Sequence, residues 1–246
     1  MTSASSPVPV AAADDLAAVA LVLGRRFAAG ATLWCVAPGA PHHARHVAVE
    51  FVHPVVVGAR SLPALAVADG GDPVDTLRLL ARPGDVVLAV GPGDDAGLAR
   101  LLRRGAAWGV RTVLLAEDPV PGSPVADHVV RVGAPDGGGA LLAYHLLWEL
   151  TQVVFDHPGL LHGPEAEAEP EGDTDAGCAG EGCVTCSDEG RLAEVRSIAD
   201  DRTALVLAGG HEERVDTSVV GGVGPGDLVL VHAGLAIAVV EGAAGP

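Results

Sequence analysis

The sequence predicts an α/β fold, a parallel sheet covered by helices, followed by an acidic linker and a small β-barrel. Three observations predict it. Helix-type and strand-type segments alternate over residues 1–160. Residues 161–190 carry nine acids and no base. From Arg191 onward the apolar period becomes two, with turn residues between short runs. The expected organisation is an α/β domain at 1–160, a linker at 161–180 and a barrel at 181–246.

In the first segment, Leu16, Val19, Ala20, Leu23 and Phe27 follow helical spacing, and Gly30 stops that helix. Thr32–Ala37 reads as a buried strand. A helix is expected over His43–Val52. Short apolar strands follow at Ala64–Val67, Val86–Val90, Val113–Ala116 and His128–Val132, with a helix at Ala96–Ala107. The last helix, about Gly139–Phe155, is apolar on several sides and so belongs in a core or an interface. Strands alternating with helices imply a parallel sheet with both faces covered.

The stretch from Glu165 to Asp175 alternates acids with small residues, Pro and Gly. It has nothing to bury, and its like charges repel, so a disordered linker is expected. Ordering it would cost about 1–2 kcal/mol per residue in backbone entropy alone. Limited proteolysis should therefore cut between Gly163 and Gly177 and release two folded pieces. Protection of this stretch would refute the division.

In the last segment, Arg191–Ile198 and Thr203–Leu207 are strand-like, and Gly209-Gly210 makes a turn. Glu212–Val220 is a further polar–apolar run. Pro225-Gly226-Asp227 turns the chain into Leu228–His232 and Ala236–Val240. Five short strands in so few residues suggest a closed barrel, which removes exposed edges.

Composition excludes several functions. The net charge of −17 argues against nucleic-acid binding. All 15 basic residues are Arg, so a Schiff-base lysine and a lysine-bearing phosphate loop are both ruled out. No apolar run is long enough to cross a bilayer. The N-terminus lacks the basic-then-apolar layout of a signal peptide, so a cytoplasmic location is expected. In that compartment Cys178, Cys183 and Cys186 are metal ligands or reactive thiols rather than disulfides. The Cys178-x4-Cys183-x2-Cys186 spacing occurs in plant-type ferredoxins, but those need a fourth cysteine that the chain does not place downstream. A structural zinc would have to draw its fourth ligand from Asp188, His211 or His232.

Three stretches carry a resemblance in the first segment: Ala44-Arg-His46-Val-Ala-Val-Glu50-Phe51-Val, Leu62-Pro-Ala-Leu-Ala-Val, and Pro83-Gly84-Asp85-Val-Val-Leu-Ala-Val90. Over roughly residues 10–160 the chain resembles the sugar isomerase (SIS) domain family, in its sedoheptulose-phosphate isomerase branch. That family cradles the sugar phosphate in a loop of hydroxyls and amides at a helix start. Here the loop reads Gly91-Pro92-Gly93-Asp94-Asp95-Ala96, without a hydroxyl and with two carboxylates. Ala40 stands where a serine would align. The domain is therefore expected to be non-catalytic. His46 and Glu50 are readable as an acid–base pair, with a structural role the preferred reading, and His42 and His43 are taken as loop residues. The resemblance also implies a homodimer.

The second resemblance rests on Val215-Asp-Thr-Ser-Val-Val220 and on Val223-Gly-Pro-Gly-Asp-Leu-Val-Leu-Val-His232-Ala-Gly-Leu-Ala-Ile237. Across roughly residues 183–241 the chain resembles the HypC/HupF family of hydrogenase maturation chaperones, which have OB-like barrels. The resemblance implies that a cysteine and the signature histidine hold an iron carrying cyanide and carbonyl ligands. It also implies two partners, a HypD-type scaffold and the large-subunit precursor of a nickel–iron hydrogenase. His232 inherits the histidine role. Cys183-Val184 matches the family's cysteine start, although the spacing that follows is about two residues longer than the family's and leaves Cys186 in competition. The expected metal ligands are thus Cys183, Cys186 and His232, with iron as a transient cargo and zinc as the rival. The competing function is a phosphosugar isomerase or phosphosugar-binding regulator with an appended metal-binding tail.

Overall fold

A computed structural model describes residues 12–67, 71–120, 126–134, 138–161 and 190–243. The chain divides into two compact units. The first comprises residues up to Gly163 and the second those from Pro164, with Ala106–Gly109 grouped with the second. The expected linker lies mostly outside the described residues. So do Cys178, Cys183, Cys186 and Asp188. No helix among the described residues is long and apolar enough to cross a membrane.

The first unit runs α1 (Ala13–Ala28), β1 (Leu33–Val36), α2 (Pro41–Val52), β2 (Ala64–Val67) and α3 (Pro73–Leu80). It continues with β3 (Val86–Pro92), α4 (Ala96–Ala107), β4 (Arg111–Glu117), β5 (His128–Gly133), α5 (Gly139–Asp156) and α6 (Pro158–Leu161). The strands pair in parallel in the order β2-β1-β3-β4-β5. This is the α/β fold expected. The central strands β1 and β3 are buried almost throughout, which is why they are near-continuous runs of apolar residues. α1 carries Asp14 and Asp15 in its first turn and Arg25 and Arg26 in its last, opposing the helix dipole at both ends. It packs against α5, and a Cβ on Gly24 would lie 2.5 Å from Val154 Cγ1, so only glycine lets the two helices approach this closely.

The second unit is a closed barrel of β6 (Arg191–Asp200), β7 (Thr203–Ala208), β8 (His211–Asp216), β9 (Leu228–His232) and β10 (Leu235–Glu241), in the order β10-β8-β7-β6-β9. Alternate residues of β7 are buried, and the core consists of alanines and valines such as Ala193, Val206, Val229 and Val231. Small side chains suit a narrow barrel. β8 stops at Asp216, short of the expected Val220, because Thr217–Val220 turns away.

Both units use one local device. In Arg82-Pro83-Gly84-Asp85 and Gly224-Pro225-Gly226-Asp227, proline sits second and a glycine of positive φ (95° and 90°) third. The fourth N–H donates to the first carbonyl, and the first N–H donates back to the aspartate carboxylate. Proline fixes φ and glycine supplies the left-handed position, so the turn is written into three residues. Asp85 also accepts from the backbone N–H of Thr32 and the indole N–H of buried Trp34, both at 2.9 Å. It thereby joins the starts of β1 and β3. Asp85→Ala should cost about 3 kcal/mol by chemical denaturation, since it strands donors at or near the core. A loss below about 1 kcal/mol would contradict this role.

Candidate metal centres

His232 closes β9 and is half-buried. Leu228 to Val231 each pair with β6 on one side and β10 on the other, and the hairpin that follows has only Ala233-Gly234 in its loop, since His232 pairs with Leu235. Both loop residues have positive φ (49° and 77°), the backbone of a tight hairpin turn. Asp227 fixes the other end. Its Oδ2 accepts from Gly224 N–H and its Oδ1 from Ala243 N–H, each at 2.7 Å.

The register Arg191↔Val231 sets Gly190 level with His232. The chain therefore enters β6 beside the imidazole. Cys186 precedes Gly190 by four residues and Cys183 by seven, so fully extended tethers of roughly 14 and 24 Å bound their reach from this point. Both thiols are outside the described residues, and His232 is the member of the expected set that the structure places. The remaining cysteine, Cys35, is fully buried in β1. Burial pushes its thiol pKa up, which leaves it inert as a ligand.

The first unit assembles a different cluster. α2 starts at Pro41, so His42 and His43 occupy its first turn rather than a loop. His46 and Glu50, four apart, share one face. α5 supplies Tyr144 and His145. His46 Nε2 and His145 Nε2 each lie 3.2 Å from Glu50 Oε1. Among the described residues, this is the set of metal-ligating atoms that converges, all within 4.8 Å of one another. Tyr144 hydroxyl lies 3.2 Å from His46 Nδ1 and 3.4 Å from His43 Nδ1, extending the chain of polar contacts inward.

The proton positions follow from the partners. His145 Nδ1 lies 2.7 Å from the Leu141 carbonyl, which can only accept, so that nitrogen carries a proton. Neutral His145 then points a lone pair from Nε2 at Glu50 Oε1. Two lone pairs at 3.2 Å repel until a proton or a metal ion stands between them. Burial, and then the nearby Glu50, push the Tyr144 pKa up to about 12, so it stays a phenol. Burial first, and then His42 and His46, lower the His43 pKa and keep that ring neutral at pH 7. Two imidazoles and one carboxylate with an open position form a donor set suited to a zinc-class ion. His145 and Tyr144 lie about a hundred residues from α2, and sequence reasoning missed both. The signal available was a Tyr-His pair in the otherwise apolar first half of α5.

A cavity of about 410 Å³ opens at the C-terminal ends of β1, β3 and β4. The chain leaves β1 for β2 on one side and returns to β3 on the other, the switch point at which such sheets bind ligands. Asp95 lines it and caps α4, its Oδ1 accepting from Leu98 N–H at 2.8 Å. Where a phosphate would meet helix amides, a carboxylate is already bound.

Residues 191–244 match the model of the HupF/HypC family. No curated protein matches the chain. Among solved structures, a phosphoheptose isomerase from Francisella tularensis is similar at 14% identity with a TM-score of 0.50, covering 57% of this chain and 86% of that one. A phosphoheptose isomerase from Neisseria gonorrhoeae is similar at 14% identity with a TM-score of 0.47, covering 58% and 86%. At this identity the likeness shows the fold alone. The chain thus joins an α/β unit that shares its fold with a phosphoheptose isomerase to a barrel that matches the HupF/HypC family model over residues 191–244.

Proposed function

We propose that this protein is a nickel–iron hydrogenase maturation chaperone of the cytoplasm, which carries an iron–cyanide–carbonyl fragment as cargo. The family match over the closed barrel carries this reading, and the position of His232 supports it. The imidazole stands where the chain enters β6, within tether reach of Cys183 and Cys186. A thiolate and an imidazole suit a soft, low-spin iron. The partners are a HypD-type scaffold that supplies the fragment and the hydrogenase large-subunit precursor that receives it. Exposed Ile237, Val239 and Val240 on β10, the strand paired with β9, offer apolar surface for these transfers. The test is complementation of a strain lacking this protein, read as hydrogenase activity. Normal maturation without the protein would end the proposal.

A second reading concerns the α/β unit, where the convergence of His46, Glu50 and His145 favours a resident divalent metal. The ion would act as a Lewis acid at its open position. The chain's part is to hold the imidazoles, with Leu141 fixing His145 and Tyr144 fixing His46. Sugar-phosphate turnover is less well supported, because the Gly91–Ala96 loop has no hydroxyl and Asp95 already takes the Leu98 amide at the start of α4. We therefore take the unit to be non-catalytic toward phosphosugars. A homodimer through α2 and α5 is consistent with exposed Val49, Leu141, Leu142 and Val153.

A further inference from the structure

α1 carries a second stripe beside its buried face. Val22, Arg25, Arg26 and Ala29 recur at i, i+3, i+4 and i+7, so they lie on one side of the helix. That side borders a cavity of about 490 Å³, which Arg111 and His128 complete. Arg111 opens β4 and His128 opens β5, so this cavity lies at the N-terminal ends of the strands. The cavity at their C-terminal ends is a separate space with other walls. We propose that the cavity beside α1 binds the phosphate group of a small phosphate monoester.

The polar side chains of the described lining are three guanidiniums and one imidazole, with no carboxylate among them. A guanidinium donates and never accepts, and an imidazole carries an N–H in either tautomer. The ligand must therefore bring acceptors and negative charge. Compensation of the helix dipole accounts for basic residues in the last turn of α1. It does not account for Arg111 and His128, which two other elements bring to the same space. Arg25 Nε donates to the Leu160 carbonyl at 2.9 Å, which holds that side chain in place. Arg111 meets Asp127 Oδ1 at a long 3.4 Å. Asp127 Oδ2 accepts from the N–H and the hydroxyl of Thr112, at 2.8 and 3.0 Å, so this carboxylate is tied to the strand. Arg26 has no side-chain hydrogen bond or ion pair among the described residues, which leaves its fork for a ligand. A phosphate fits better than a carboxylate. One fork satisfies a planar carboxylate, whereas a phosphate offers three acceptor oxygens to donors arriving from different elements. The volume leaves room for the rest of a small molecule.

Titration calorimetry on the full chain at pH 8 and 0.15 M salt decides the matter. The probe is glycerol 2-phosphate, doubly charged there because the second pKa of a phosphate monoester is about 6. Charges more than about 8 Å away are largely screened at that salt, so the groups lining the cavity outweigh the net charge of −17. Succinate is the match in charge, and glycerol is the neutral match. Glycerol 2-phosphate should bind saturably, with succinate at least about tenfold weaker and glycerol not bound. Arg26→Gln keeps a good helix former on α1 and should weaken the phosphate about tenfold, the loss of one charge-assisted contact. Arg111→Gln should weaken it as much, while Asp127 stays bound to Thr112. Circular dichroism confirms the fold of each variant. Three outcomes would each overturn the proposal: no binding of glycerol 2-phosphate, equal binding of succinate, or phosphate binding that Arg26→Gln and Arg111→Gln leave unchanged.

Discussion

His232→Ala should lower hydrogenase maturation by more than about a hundredfold, given that losing even a residue that only supports a metal ligand costs 10–100-fold. The barrel should survive the change. His232 is half-buried at the last position of β9, and the hairpin beyond it turns on the positive φ of Ala233 and Gly234. The barrel core of alanines and valines does not include it. Cys183→Ala should match the effect, and the double variant should be no worse than either single one, because both residues would serve one iron. Cys178→Ala should matter less. Maturation that is normal with Cys183→Ala but lost with Cys186→Ala would move the thiol and leave the function in place. Normal maturation by all of the Cys183, Cys186 and His232 variants would remove the iron-carrier reading. Circular dichroism on each variant separates loss of cargo from loss of fold.

Local chemistry was the part most readable from residues alone. The two Pro-Gly-Asp turns announce themselves, because φ is fixed by the proline and the left-handed position by the glycine, and each leads into a strand beginning at the next residue or shortly after. Gly209-Gly210 likewise gives the β7–β8 hairpin, with positive φ at both residues. Ala64–Val67 and Leu228–His232 start and stop as their apolar runs do. The strand expected through Val220 failed for the converse reason. Thr217 N–H donates to the Arg202 carbonyl, and Val220 and Gly221 turn back onto Thr217, contacts that no periodicity reveals. The cluster on α2 and α5 was half-legible. His46 and Glu50 share a helix face by spacing, whereas Tyr144 and His145 reach them only because α5 packs beside α2. The loss of hydroxyls at Gly91–Ala96 was visible at once. That Asp95 would serve as the α4 cap and also line a cavity needed the fold.

Glu50→Ala should abolish stoichiometric zinc binding by the full chain, with affinity falling more than about a hundredfold. Glu50 Oε1 is the atom common to both short contacts, 3.2 Å from each imidazole, so its removal leaves two nitrogens without the anion that balances the ion's charge. His145→Ala should lose about as much, since its Nε2 is aimed at the same point by the Nδ1–H that the Leu141 carbonyl accepts. Tyr144→Phe removes no ligand. It deletes the hydroxyl partner of His46 Nδ1 and should weaken zinc about tenfold, the lower end of the range for groups that orient a ligand. The order matters as much as the sizes, because a merely structural cluster would rank the variants by burial. Tyr144 is fully buried, while the Glu50 side chain is 16% exposed. Equilibrium dialysis with zinc, read beside thermal unfolding of the metal-free chain, distinguishes the two. If Tyr144→Phe disturbs stability most and none of the three variants changes zinc uptake, the cluster is packing and not a metal centre. The Cys183 and Cys186 variants should leave this zinc untouched, which keeps the result independent of iron handling by the barrel.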